Sequence, residues 1–387
     1  MDTDKIKFKE EKFTNHHNII TIKPDFDSKL SDLIIELEKL REKRISSKIH
    51  PMIFFQLKKI FHILESVENN RFEGNPTTIA EFIETKIEHN KENEKDEHYI
   101  AINNTEKALD YIEKNLKKGE KINTQFIRTI HSIVVDGLTP LPDGESENPG
   151  GYKKKPNKVK HIAPEPTYIE SYMQELEEFI NKDIGKKYEL IYTAIAHHRF
   201  VWIHPFDNGN RVVRLLTYAM LIKQLINNDI KMFQIINPTG IFNKKKYSDL
   251  LAECDTKVEK IEEWCEYVLE ILKEINKIDK ILNIDYTKNQ ILLPAIKYAY
   301  ERHYIDKFEE EILNTAANNT IVKLDDLTKT FPEGTQKTKI TYNIRKLKTR
   351  GILLPIAKNS RIYTIFMKNE LLRCIVQRLR EEFIDFE

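Results

Sequence analysis

Residues 202–216 read WIHPFDNGNRVVRLL and gather, in a chain patterned for helices, the residue types that handle a phosphate. Pro205 cannot continue a helix and pushes the residue before it toward an extended conformation. That predicts an imidazole, His204, at a helix-to-loop corner. His204 is also the one group in the stretch able to take a proton near neutral pH. Asn208, Gly209 and Asn210 tolerate positive φ. Successive backbone N–H groups in such a turn, just ahead of a helix, form an anion-binding nest. Arg211 and Arg214 come next, one helical turn apart, so both planar guanidiniums reach the same side and can fork phosphate oxygens. Asp207 offers an oxygen to Mg²⁺, which usually enters a site through one or two carboxylates plus substrate phosphates. Taken singly, a His before Pro is a packing residue, NGN a turn and RxxR a solvated face. Their coincidence within eleven residues favours transfer of a phosphate-linked group from a nucleotide.

The elements that must position these residues are mostly helical. With 387 residues the chain has room for two or three domains; 40% of it is apolar and 32% charged, as in ordinary globular proteins. Net charge is +1, so affinity for phosphate-bearing partners must come from local patches. Three cysteines, Cys254, Cys265 and Cys374, lack CxxC spacing and read as thiols in a reducing compartment. The opening MDTDKIKFKEEKF has no apolar leader segment, and no window approaches the ~18 apolar residues of a membrane span, so a cytoplasmic protein with no membrane partner is expected. Apolar periodicity predicts helices near 25–44, 50–68, 97–117, 123–136, 166–182, 187–202, 240–253 and 256–283. Gly74 suits a helix end, and Pro76-Thr77 with Glu81 a new start. Between the helices near 123–136 and 166–182 lies a long Pro- and Gly-rich loop whose KVKHI core has strand character. His197, His198 and His204 raise a zinc alternative. Adjacent helical histidines diverge by about 100° and no acidic partner has zincin spacing, which argues against it.

The stretch HPFDNGNRVVR resembles the signature of the Fic (Fido) family, H-P-F-x-[DE]-G-N-[GK]-R-x-x-R, whose members transfer AMP from ATP to protein hydroxyls. The resemblance implies a mainly α fold: a Fic-type helical core with a small β-hairpin flap. It implies His204 as the base toward a Ser, Thr or Tyr hydroxyl, with ATP as co-substrate and Mg²⁺ on the acidic residue. It assigns the Asn208–Asn210 turn, Arg211 and Arg214 to the phosphates. The chain is one residue short of the pattern between the histidine and the arginines. One alignment keeps NGN in phase and sets Asn208 at the acidic position; the other sets Asp207 there. A deletion at a helix start rotates the rest of the helix by about 100° unless the turn absorbs it.

Further features come from the same resemblance. NNRFEGN is similar to the family's inhibitory motif, [ST]-x-x-x-E-[GN], and implies that Glu73 pairs with Arg214 and leaves ATP in an unproductive pose. Val159, Lys160, His161 and Ile162 fall in the flap that aligns a target segment by strand pairing. Lys153, Lys154 and Lys155 suit an acidic target or simply a solvated run. Tyr247 lies where family members place a tyrosine near the adenine. Past a break around 285–289, a short helix over IVKLDDLTKTF, a PEGTQ turn, a basic helix ending at Gly351 and two strands around AKNS form a winged helix-turn-helix pattern. The expected domains are 1–115, N-terminal helices with the inhibitory helix; 116–284, the catalytic core; and 285–387, the winged helix-turn-helix. Partners are a hydroxyl-bearing protein or the chain itself, and DNA through the winged helix; a homodimer stays open. Two rivals stay open as well. One is a DNA-binding regulator with a sensory or degenerate nucleotide site. The other is a Fic-fold enzyme that transfers another phosphate-linked group or removes AMP.

Overall fold

The computed structural model describes residues 19, 21–42, 49–88, 95–117, 119–139, 148–156, 163–207, 210–224, 243–257, 259–273, 280–358 and 360–383. The chain is mainly α and divides into two compact units. The first takes in residues 1–43, 62–77 and 95–276, and the second residues 44–61, 78–94 and 277–387. Among the described residues, no helix is long and apolar enough to cross a membrane.

The described helices of the first unit are α1 (Lys29–Glu42), the C-terminal part of α2 (Pro51–Phe72), α4 (Glu97–Asn115), α5 (Thr124–Val134), α6 (Ile169–Asn181), α7 (Lys186–Ile203), α8 (Asn210–Gln224), α9 (Lys244–Cys254) and α10 (Lys260–Lys273). From Leu190 α7 is buried on nearly every face, as α8 is from Arg211 to Ile222, the pattern of a central helix pair, and the two pack on each other. α6 and α10 flank α7, and α5 lies against α8. Trp264 of α10 is fully buried and donates its indole N–H to the carbonyl of Ala194 at 2.7 Å, tying the two helices together. α2 closes with a Schellman motif: Gly74, at φ 101°, donates to the Arg71 carbonyl and Asn75 to that of Asn70, at 3.0 and 3.1 Å. The sequence signal at Gly74 is therefore realised as a helix stop.

The second unit holds the N-terminal part of α2, α3 (Ile79–Glu88), a π-helical turn over Thr287–Leu292, α11 (Leu293–Glu301), α12 (Lys307–Asn319), β1 (Val322–Lys323), α13 (Leu324–Thr330), α14 (Lys337–Thr349), β2 (Leu353–Pro355), β3 (Ile362–Ile365) and α15 (Asn369–Phe383). The strands form one antiparallel sheet in the order β1-β3-β2, pairing Val322 with Tyr363 and Leu353 with Ile365. β1 departs from the sequence expectation: the segment patterned as a short helix begins with this two-residue strand. Ile312, Leu327, Ile340, Ile344, Leu347 and Ile365 are buried beneath the sheet and helices. The three cysteines are buried free thiols.

Candidate active site

His204 caps α7 in the left-handed region, with φ 46° and ψ 62°. The residue before Pro205 is expected to be extended, and it is not. The helix-closing bond from its N–H to the Phe200 carbonyl, 3.0 Å, fixes the left-handed turn, and this conformation still avoids the right-handed region that the Pro205 ring excludes. A side chain held at such an angle stores on the order of 1 kcal/mol, the kind of strain concentrated at working sites. The His204 side chain is buried. Phe206 is buried beside it and stacks on His131 of α5, with ring centroids 3.9 Å apart and planes 6° from parallel. His131 accepts the Gly150 N–H at Nδ1, 2.9 Å, which leaves its proton on Nε2. Burial, reinforced by the charge of Arg211, drives the His131 pKa down to about 3, so the ring is neutral.

Residues 148–156 form a strap from α5 to the histidine corner. Arg128 of α5 donates through Nε to the Gly150 carbonyl at 2.6 Å and lays its guanidinium 5.3 Å from the Tyr152 ring centroid. At the other end the Lys153 N–H donates to the Pro205 carbonyl at 2.9 Å. Of the lysine run read as solvated or target-facing, Lys154 and Lys155 are exposed but Lys153 is buried.

Both arginines of α8 are buried and meet the end of α2. Arg211 donates through Nη1 to Asn70 Oδ1 at 3.1 Å. Asn70 is held for this purpose: its Nδ2 donates to the Ser66 carbonyl and to Thr105 Oγ1, at 2.8 and 2.9 Å, turning Oδ1 toward the guanidinium. Arg214 lies over the Phe72 ring at 4.1 Å, and Lys244 of α9 approaches the same ring at 5.0 Å while donating to the Phe72 carbonyl. Glu73 is half-buried in the turn just past α2.

Against the arginines lies a buried aromatic and imidazole layer. Thr217 donates its hydroxyl to the Val213 carbonyl, so it accepts from His197 Nδ1 at 2.8 Å. His197 Nε2 therefore accepts the Tyr247 hydroxyl at 2.8 Å. Burial, then the charges of Arg214 and His198, depress the His197 pKa to about 3. Burial raises that of Tyr247, with Glu73 adding to the rise and Arg214 opposing it. His198 pairs with buried Asp255 at 3.0 Å, so neither adjacent histidine is spare.

The predicted residues His204, Asp207, Arg211, Arg214, Tyr247 and Glu73 all lie in the first unit, with Asn210 as the first residue of α8. Asn208, Gly209 and the segment Val159, Lys160, His161 and Ile162 lie outside the described residues. Among the described residues, no three His, Cys, Asp or Glu side chains cluster as metal ligands. Half-buried Asp207 supplies a single carboxylate, a donor set that fits Mg²⁺ held chiefly by substrate phosphates and not an all-protein cage. Sequence reading misses Asn70 and His131, and it names Lys153 only as part of a target-facing or solvated run, not as a buried side chain. Asn70 could be suspected as an amide on the inner face of an apolar helix; His131 carries no local signal.

The chain is similar to known proteins in sequence and in fold. Residues 121–221 match the Fic/DOC family. A relative from Nematostella vectensis, named protein adenylyltransferase Fic, is 26% identical over 206 residues, 50% of this chain and 45% of that protein. One of the same name from Drosophila erecta is 31% identical over 167 residues, 42% of this chain and 32% of that protein. The matched part thus spans less than half the length of either relative. A solved Fic family protein from Desulfovibrio desulfuricans shares the fold, with a TM-score of 0.50 over 90% of this chain and 98% of that one, at 15% identity.

Proposed function

On the premise that this chain carries a Fic domain, we propose that it transfers AMP from ATP to a Ser, Thr or Tyr hydroxyl of a protein, itself included. The observation that carries this reading is the pair of buried arginines, Arg211 and Arg214, one turn apart on the helix after the left-handed His204. Two guanidiniums one turn apart on one helix present planar forks to the same side, and a polyphosphate is the anion whose length suits such a pair. His204 takes the proton of the target hydroxyl as its oxygen attacks the α-phosphorus and pyrophosphate leaves. The strap and the His131–Phe206 stack hold the corner that aims the imidazole. Asn208, Gly209 and Asn210 offer backbone N–H groups to the phosphates. Asp207 would hold Mg²⁺, which supplies charge neutralisation at the phosphates. Tyr247 would line the adenine side.

We also read Glu73 as an internal inhibitor. Glu73 and Arg214 act in opposite senses on one phenol, that of Tyr247, which supports their nearness. A Glu73–Arg214 pair would occupy the guanidinium that the γ-phosphate needs. Incubation with labelled ATP tests both statements. Self-labelling is expected to be weak in the parent, to rise in Glu73→Gly and to vanish in His204→Ala. No label in Glu73→Gly would remove the transferase reading.

A second reading concerns 285–387, taken as a winged helix-turn-helix that follows, in sequence, N-terminal helices at 1–115 and a catalytic core at 116–284. The order α13, turn, α14 and a three-stranded sheet supports it. α14 has no acidic residue and exposes Lys337, Thr338, Thr341, Tyr342, Arg345 and Lys348, a face suited to duplex DNA. Lys346 and Arg350 are instead engaged by Glu309, at 3.2 Å each. Binding to a duplex should weaken steeply with salt, and neutralising Lys337, Arg345 and Lys348 should lower the slope by about three charges' worth. Neutralising Lys346 should not.

A further inference from the structure

Lys153 is a buried charge that nucleotide transfer, as proposed, leaves unused, and, unlike Arg199, whose guanidinium bonds Glu175, its ammonium bonds nothing among the described residues. Its side chain is 3% exposed, yet Nζ has no hydrogen-bond partner among the described residues. Its main chain is pinned to the Pro205 carbonyl, so the side chain departs from the histidine corner itself. The ammonium senses the carboxylate of Asp207, and less strongly that of Glu165, without bonding to either. Desolvation outweighs both carboxylates and lowers its pKa to about 8. A buried ammonium with three unanswered donors is unfavourable wherever it occurs. A lysine needed only to fill space would be replaced to advantage by an apolar side chain, and one needed only to neutralise Asp207 would reach it. The arrangement makes sense when an acceptor is absent from the protein and arrives with a ligand.

We propose that Lys153 is a phosphate-contacting residue of the nucleotide site, donating from the strap to a phosphate oxygen of the bound nucleotide while Arg211 and Arg214 approach from α8. The inference rests on the nucleotide-transfer reading and adds a residue to it. It also gives the strap a function: Gly150, Gly151 and Tyr152 deliver a cation to the substrate and do not merely join α5 to the next loop.

Calorimetric binding to the full chain at fixed salt tests this, with ATP, inorganic tripolyphosphate and adenosine as probes. The variants are Lys153→Met, which keeps length and removes charge, and Lys153→Arg, which keeps charge. Lys153→Met should raise the Kd of ATP and of tripolyphosphate about tenfold, the worth of one charge-assisted hydrogen bond. Adenosine binding should not change, and Lys153→Arg should restore most of the loss. The ligand-free melting temperature of Lys153→Met should equal or exceed the parent's. Unchanged ATP and tripolyphosphate binding in Lys153→Met, or equal losses for adenosine and ATP, would overturn the proposal. Should the parent bind neither adenosine nor ATP, the nucleotide reading fails. Lys153 is then judged on tripolyphosphate, where binding that Lys153→Met weakens sustains a phosphate contact and absence of binding refutes it.

Discussion

The corner between α7 and α8 and the face of α14 are both rich in cations, and they treat them in opposite ways. Arg211 and Arg214 are 5% and 1% exposed, whereas Lys337, Arg345 and Lys348 stand in solvent. A charge in water asks nothing of the fold. One removed from water must be matched by oriented dipoles, aromatic faces or counter-charges. Around α8 that matching is visible in Asn70, fixed by two bonds of its own, in Phe72 beneath Arg214, and in two histidines kept neutral. Cation count therefore says little about where a site lies, and the structure built to keep a cation dry says much.

The largest effect expected from this difference is on acid stability. His131 and His197 titrate near 3 in the folded chain against 6.5 when unfolded, so between those values the unfolded state binds more protons and stability falls as pH falls. Each histidine should remove up to about 1.4 kcal/mol per pH unit below 6, with no contribution above 7. Hydrogen exchange should show the first unit opening before the second as pH drops. A denaturation midpoint flat from pH 7 to 5 would contradict the buried, neutral rings. Next in size, replacing Arg211 or Arg214 by Met should weaken ATP binding by roughly 1.5–3 kcal/mol, the range for hydrogen bonds to charged groups. Binding calorimetry reads it, and equal affinity would move the phosphates elsewhere. Gly74→Ala should then cost about 1 kcal/mol of stability in chemical denaturation, because a Cβ at φ 101° is strained although the space around it is open. Smallest of all, converting Lys337, Arg345 and Lys348 to Gln should leave the melting free energy within ~0.5 kcal/mol. A larger loss would mean that α14 needs its charges for folding, and the contrast between the two basic regions would collapse.

Much of the scaffold could be read from residue order. The break at Pro205, the helix stop at Gly74, the basic helix up to Gly351 and the strands either side of AKNS each have a local cause, in a missing N–H, a positive φ or a period. β1 has only two residues, too few to show alternation, and its partner β3 lies some forty positions away. The π-helical turn over Thr287–Leu292 keeps a helical pattern where a break is expected. At the candidate site, residue types singled out His204 and the arginines because they sit within eleven positions. Asn70 meets Arg211 across 141 positions, and His131 receives Gly150 across 19; spacing rules do not reach that far.

Gly150 illustrates how little material can set a geometry. A methyl group there would fall 2.5 Å from Ser132 Oγ and 3.0 Å from the Arg128 carbonyl, at a φ of 76° that side chains avoid. A larger residue must turn the Ser132 hydroxyl aside and crowd the Arg128 carbonyl, straining the strap that carries Lys153 to Pro205. A residue with no side chain thus sets how closely the strap lies on α5, and through it where the main chain of Lys153 meets Pro205.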